Sequence, residues 1–242
     1  MSDQAKSEHI VKSYESELNR LRQLMTEMGG LVESQVEMAT QAVLQRDAGA
    51  AAQAMETDPK VDAMEREAEQ FVIRMLALRQ PMAQDLRQIV SSLKMTGDLE
   101  RIGDYAANVA KRSLVLSQFS LNFPFGGLGQ MARLVQENLK TIIDAIGEND
   151  ADKALQVWRS DAAIDDLYNT IFRELITYMM EDPRTITPCT HLLFIAKNLE
   201  RIGDHATNIA ETIYYAVKGE PLTDARPKSD NSAYAVVRPL GE

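Results

Sequence analysis

Two short segments carry the same acids at the same spacing. Glu100, Asp104 and Asn108 follow one another at i, i+4 and i+8, and Glu200, Asp204 and Asn208 repeat the pattern. That spacing puts each set on one face of a helix. Like charges at i, i+4 cost an isolated helix about 0.2–0.5 kcal/mol, so each pair needs a compensating partner. Oxygen-only ligand sets of this kind suit hard cations such as Mg²⁺, Mn²⁺ or iron. A third carboxylate comes within range in each case. Asp62 and Glu100 are equidistant along the chain from Pro81, so an antiparallel hairpin turning at Pro81 sets them at one level. Asp165 and Glu200 stand almost equally far from Pro183. The expected metal ligands are therefore Asp62, Glu100 and Asp104, then Asp165, Glu200 and Asp204. Glu33, Glu37 and Glu137 come out at a similar level on the preceding helices. The competing account is a solvated acidic face neutralised by Arg101 and Arg201.

Long helices must position these acids. Leu18, Leu21, Met25, Met28, Val32, Val36, Ala39 and Val43 step by three and four, a seam of coiled-coil type. Asp47 is the expected cap of a second helix reaching about Gln80, with a kink at Pro59 or a restart capped by Asp58. A third helix is expected from Ala83 to Leu116. The stretch Asn122 to Gly127 reads as a linker. Leu128, Met131, Val135, Leu139, Ile142 and Ile146 then open a new seam. Asp150 caps a fifth helix ending near Met180, and a sixth runs from about Pro188 to Val217. From Pro221 the sequence loses its period and reads as a mobile tail, whose removal from Arg226 onward should leave the fold intact.

The order of elements recurs, and part of the recurrence is literal. Leu99-Glu100-Arg101-Ile102-Gly103-Asp104 reappears as Leu199-Glu200-Arg201-Ile202-Gly203-Asp204, and Asp58 and Asp62 align with Asp161 and Asp165. An internal duplication accounts for both. Short turns between long helices favour antiparallel neighbours. The expected fold is all-α, with two tandem three-helix bundles over 8–118 and 128–218 and a tail over 219–242. On a helical wheel the acids lie opposite Ile102, Ala106 and Val109, which places the acidic stripe outside its own bundle. Leu86, Val90 and Leu93 share the acidic side and need cover of their own. Gly103 and Gly203, costly in mid-helix, are expected to admit a neighbouring helix closely.

Composition excludes several classes. The formal charge of −10 opposes nucleic-acid binding. The one cysteine permits no intrachain disulfide and no paired-cysteine zinc site. Cys189 and His191 stand at i, i+2, which do not face each other on a helix, so a nucleophilic pair is not expected. Cys189, Met25 and Met28 are expected in the core, and Trp158 in the core or at an interface. No apolar run approaches the roughly 20 residues of a membrane span, and MSDQAKSEHI has no apolar signal region, so a cytoplasmic location is expected. A ferritin-like oxidase would want Glu-x-x-His on a helix, and none of His9, His191 and His205 completes one. A purely structural helical scaffold is the remaining alternative.

The doubled Leu-Glu-Arg-Ile-Gly-Asp-x-Ala-x-Asn resembles the signature of the PhoU family. Gln80-Pro81-x-Ala83-x-Asp85-Leu86-Arg87 and His9 leading into Glu17-Leu18-x-x-Leu21 agree with it, and the resemblance covers about residues 8 to 218. Pro183-Arg184-Thr185-Ile186 departs from the pattern, so a role of Arg87 is not duplicated. The resemblance implies a homodimer that is not an enzyme. It implies metal clusters on Glu100, Asp104, Glu200 and Asp204. It further implies a negative regulator of the phosphate-starvation (Pho) response. Such a regulator would link the phosphate ABC transporter, through its ATPase subunit PstB, to the sensor kinase PhoR. Association with the inner membrane would run through those partners.

Overall fold

The computed structural model describes residues 2–119 and 126–228, with side chains from Tyr14 onward, so the side chain of His9 and the residues Asn122 to Phe125 lie outside what is described. Six helices follow in order: α1 (Ser2–Leu44), α2 (Ala48–Arg79), α3 (Ala83–Leu116), α4 (Gly126–Glu148), α5 (Ala151–Glu181) and α6 (Ile186–Lys218). A single 3-10 turn, Pro183–Thr185, precedes α6, and no strand occurs among the described residues. None of the helices is long and apolar enough to cross a membrane.

The duplication extends to the turns. Arg46 and Asn149 both adopt positive φ, and the next residue in each copy is the helix cap. Asp47 accepts from the amides of Gly49 and Ala50, and Asp150 from those of Asp152 and Lys153. A side-chain oxygen satisfies amides that the first helical turn leaves without partners. The expected restart at Asp58 does not occur: α2 runs through Pro59. Pro59 deprives the Met55 carbonyl of its helical donor. One residue away, the buried Gln35 of α1 donates to the Ala54 carbonyl, to Asp58 Oδ1 and to the Gly103 carbonyl. One amide thus ties α1, α2 and α3 together beside the proline.

The two three-helix units share one core. A single cluster of buried side chains runs from Met25 and Val32 of α1 through Leu99 and Ile102 to Leu139, Ile164 and Ile202. Cys189 and Trp158 belong to it, and Met25 and Met28 line it. A smaller cluster of Leu21, Val72, Met75 and Ile89 closes the far end of the first unit. The most extensive helix contact joins the units, between α3 and α6. Its polar edge fixes the register. Arg87 Nε donates to the Ala216 carbonyl, Asp98 Oδ1 lies 2.8 Å from His205 Nδ1, and Arg112 stacks on Phe194. As one number rises the other falls, so α3 and α6 are antiparallel. The two Glu-Arg-Ile-Gly-Asp segments cross at the midpoint of that pair.

Close approach explains the mid-helix glycines. A Cβ on Gly203 would stand 2.8 Å from Ile164 Cδ1, and one on Gly103 would stand 3.0 Å from Gln35 Oε1 and 3.4 Å from Val61. Val61 and Ile164 are equivalent in the repeat, so the same helix crossing is built twice. Gly203→Ala is expected to lower stability by about 1–3 kcal/mol, the range for overpacking a core, despite the better helix propensity of alanine. Chemical denaturation at unchanged helicity checks it. A stabilised variant would show that the contact is slack.

Two expectations need correction. Among the described residues Leu86 and Val90 are only partly covered, being 41% and 39% exposed, although Leu93 packs on the smaller cluster. With Ile73, Leu78 and Met82 they leave the outer end of the α2–α3 hairpin apolar and exposed among the described residues. The start of the tail is packed on the second unit, which the sequence did not suggest. Gly219 ends α6 in a left-handed conformation (φ 85°), and Arg226 then reaches back to α5 and α6. Cutting at Arg226 would remove these bonds. Positions 229–242 lie outside the described residues.

Candidate functional site

The hairpin geometry brings the expected carboxylates together in each unit. In the first, α3 supplies Glu100 and Asp104, and α2 brings Asp62 close enough to act on both electrostatically. Asp58 and Glu65 join from the same face of α2. Burial and the neighbouring Asp104, Asp62 and Glu65 carboxylates push the Glu100 carboxyl up, against the pull of Arg101. Asp104 is raised by burial and by Asp58 and Asp62. Arg101 is the local counter-charge, 3.6 Å from Glu100 and 3.6 Å from Asp104. It is well exposed, so the pairing is weak.

The second cluster is deeper. Glu200 is only 5% exposed, so the expectation of an outward stripe fails there. Lys197 Nζ donates to Glu200 Oε1 at 2.7 Å, while Glu200 Oε2 is buried without a partner. Burial dominates in raising the Glu200 carboxyl, with Asp204 and Asp165 adding to it against Lys197. Asp165 is buried beside it. Arg201, expected as a counter-charge, lies instead over the Tyr105 ring. Asp161, also buried, accepts from Thr207 Oγ1 and from Arg226.

Asp58 and Asp161 were absent from the expected ligand set. Their signal was present in the sequence: they align in the repeat, one turn before Asp62 and Asp165. Glu33, Glu37 and Glu137 do not join either cluster. They line a separate cleft between α1 and α4 with Gln136 and Lys140. The histidines face elsewhere too, His205 toward Asp98 and His191 toward Arg112. As the side chains stand, no three His, Cys, Asp or Glu groups among the described residues converge at ligating distance. The donor chemistry nevertheless fits a hard cation: all oxygen, with one buried carboxylate oxygen unpartnered.

The profile of the PhoU domain matches this chain twice, over residues 25–113 and 128–213. The chain belongs to the PhoU family. The two matches coincide with the two three-helix units, each ending on its acid-bearing helix. A phosphate-specific transport system accessory protein PhoU homolog of Caulobacter vibrioides is 49% identical over 225 residues, covering 93% of this chain and 98% of that protein. The crystal structure of PhoU from Pseudomonas aeruginosa superposes with a TM-score of 0.84 at 42% identity, covering 86% of this chain and all of that one. The phosphate transport system regulatory protein PhoU from Streptococcus pneumoniae superposes at 0.79 with 31% identity, over 86% of this chain and 99% of that one. PhoU proteins are regulatory accessory proteins, not enzymes.

The raised carboxyls give a pH prediction. Glu100, Asp104 and Glu200 bind protons more tightly folded than unfolded. Their contribution is therefore present at pH below the ordinary carboxylate range and is lost as pH rises through their raised folded values. In chelator, melting temperature should rise as pH falls from ~7 toward ~5. It should fall again at stronger acidity, where Glu17, held down by its bond from Arg79, takes up a proton. Added Mn²⁺ should flatten the rise, because cation and proton compete for the same oxygens. A melting temperature that falls steadily over the whole range would show that the clusters are already compensated.

Proposed function

We propose that this chain is a cytoplasmic regulatory adaptor that restrains the phosphate-starvation response when phosphate is abundant. It couples the phosphate ABC transporter, through the ATPase subunit PstB, to the sensor kinase PhoR. Membership of a family whose relatives are named as accessory and regulatory proteins of phosphate transport carries this reading. The chain acts as a homodimer, and the exposed apolar end of the α2–α3 hairpin offers a surface for a protein partner. Contact with the membrane runs through the ATPase subunit.

The acid clusters are the proposed control points. Asp62, Glu100 and Asp104 would hold one Mg²⁺, Mn²⁺ or iron ion, and Asp165, Glu200 and Asp204 another. The ion would supply concentrated positive charge at the crossing of α3 and α6. The raised carboxyls and the unpartnered Glu200 oxygen support this, because they mark negative charge that the chain itself leaves undercompensated. Tagged chain purified from cells in phosphate-rich medium should retain the transporter ATPase and carry bound metal by elemental analysis. Recovery of neither would sink the adaptor and the metal readings together. Recovery of the ATPase alone would leave an adaptor without metal.

A further inference from the structure

We propose that the second acid cluster is an arginine socket and that Arg226 of the chain's own tail is its resident ligand. An external cation must then displace the tail to enter. This competition rests on the metal reading above. The socket itself rests on geometry.

All three guanidinium nitrogens of Arg226 are engaged. Nε and Nη2 donate to the two Asp161 oxygens at 2.8 and 3.1 Å, a fork on a fork. Nη2 also donates to Asp204 Oδ1 at 2.7 Å and to the Asp204 carbonyl at 3.2 Å, and Nη1 to Asn208 Oδ1 at 3.1 Å. The socket is built from below as well. Thr207 Oγ1 donates to Asp161 Oδ1 at 3.0 Å, fixing a carboxylate that is only 3% exposed. Burial alone would weaken the charge on Arg226, but the bond to Asp161 and the nearby Asp204 and Glu211 outweigh it and hold it firmly cationic.

Among the described residues the first cluster has no such socket. Ala107 stands where the second copy has Thr207. Asp58, the counterpart of Asp161, accepts from the neutral amide of Gln35. Among the described residues Asp104 is paired with the exposed Arg101, at 3.6 Å. Duplicated acids have therefore been put to different uses: one cluster faces solvent under weak pairing, and the other is filled by a tethered cation. Asp204 is common to the socket and to the proposed metal set, so the two occupants exclude each other.

The test uses the full chain carrying Glu100→Ala and Asp104→Ala, which leaves only the second cluster. Mn²⁺ affinity is measured by titration calorimetry, and the Arg226 Nε–H is followed by nuclear magnetic resonance, with Mg²⁺ replacing the paramagnetic Mn²⁺ there. A latch closed roughly 90–99% of the time weakens a competing ligand about 10- to 100-fold. Arg226→Ala should recover that factor. Without metal the Arg226 Nε–H should exchange slowly with solvent, held on Asp161, and added Mg²⁺ should release it in step with binding. Because Arg226→Ala strands a buried carboxylate, Arg226→Gln is run beside it, with helicity checked for both. Equal Mn²⁺ affinity with and without Arg226, and an Arg226 Nε–H that exchanges freely in metal-free protein, would overturn the socket while leaving the metal reading in place. Absence of cation binding in every variant, with the Arg226 Nε–H protected, would overturn both the metal reading and the competition.

Discussion

Ile102→Ala is expected to destabilise both three-helix units together, by about 2–5 kcal/mol. Ile102 is fully buried at the crossing of α3 and α6, in a core that continues without a break into the second unit. Truncation removes its transfer free energy and leaves a void that close-packed helices fill only in part. A core confined to one unit would confine the damage there. This one does not, because α3 and α6 share the most extensive contact in the molecule. The single tryptophan, Trp158 on α5, lies in the other unit and reports on it. Its fluorescence and the helical signal should be lost at one midpoint in wild type and variant alike. A first transition that leaves Trp158 unaffected would show that the units fold independently.

The second large effect concerns cations. At 100-fold excess over its dissociation constant, a ligand that binds only the folded state stabilises it by about 2.7 kcal/mol per site. Wild type should therefore show a Mn²⁺-dependent rise in melting temperature, and Asp104→Ala combined with Asp204→Ala should abolish it. The two single variants should differ in chelator. Asp104→Ala relieves a carboxyl raised by its neighbours. Asp204→Ala removes a partner of Arg226 and loosens the tail. Equal Mn²⁺ stabilisation of wild type and double variant would place any cation site elsewhere.

Much of this molecule was legible in its sequence, for definite reasons. Caps such as Asp47 and Asp150 act within three residues, so local chemistry reveals them. The hairpin arithmetic placing Asp62 beside Glu100 works because both helices have a regular rise and one turn. The duplication made Glu200 and Asp204 visible a second time. What the sequence hid depended on packing between elements. A wheel drawn for one helix leaves out its neighbours, so it set the stripe outside in both copies and missed the burial of Glu200. Level along the helices could not separate the cleft holding Glu33, Glu37 and Glu137 from the acid clusters. Pro59 is tolerated inside α2, and the tie that Gln35 makes beside it spans three helices. Arg226 was hidden most completely. The stretch after Pro221 has no period, and one long side chain reaching α5 leaves no pattern to detect.

Regulation of phosphate signalling by the acid clusters is tested most directly with a phosphate-starvation reporter in cells whose own copy of this gene has been deleted, grown in abundant phosphate. The reporter should be on in the deletion, and wild-type chain should silence it. Asp104→Ala with Asp204→Ala, expressed and folded to the same level, should fail to silence it. Full silencing by that variant would contradict regulation by the clusters.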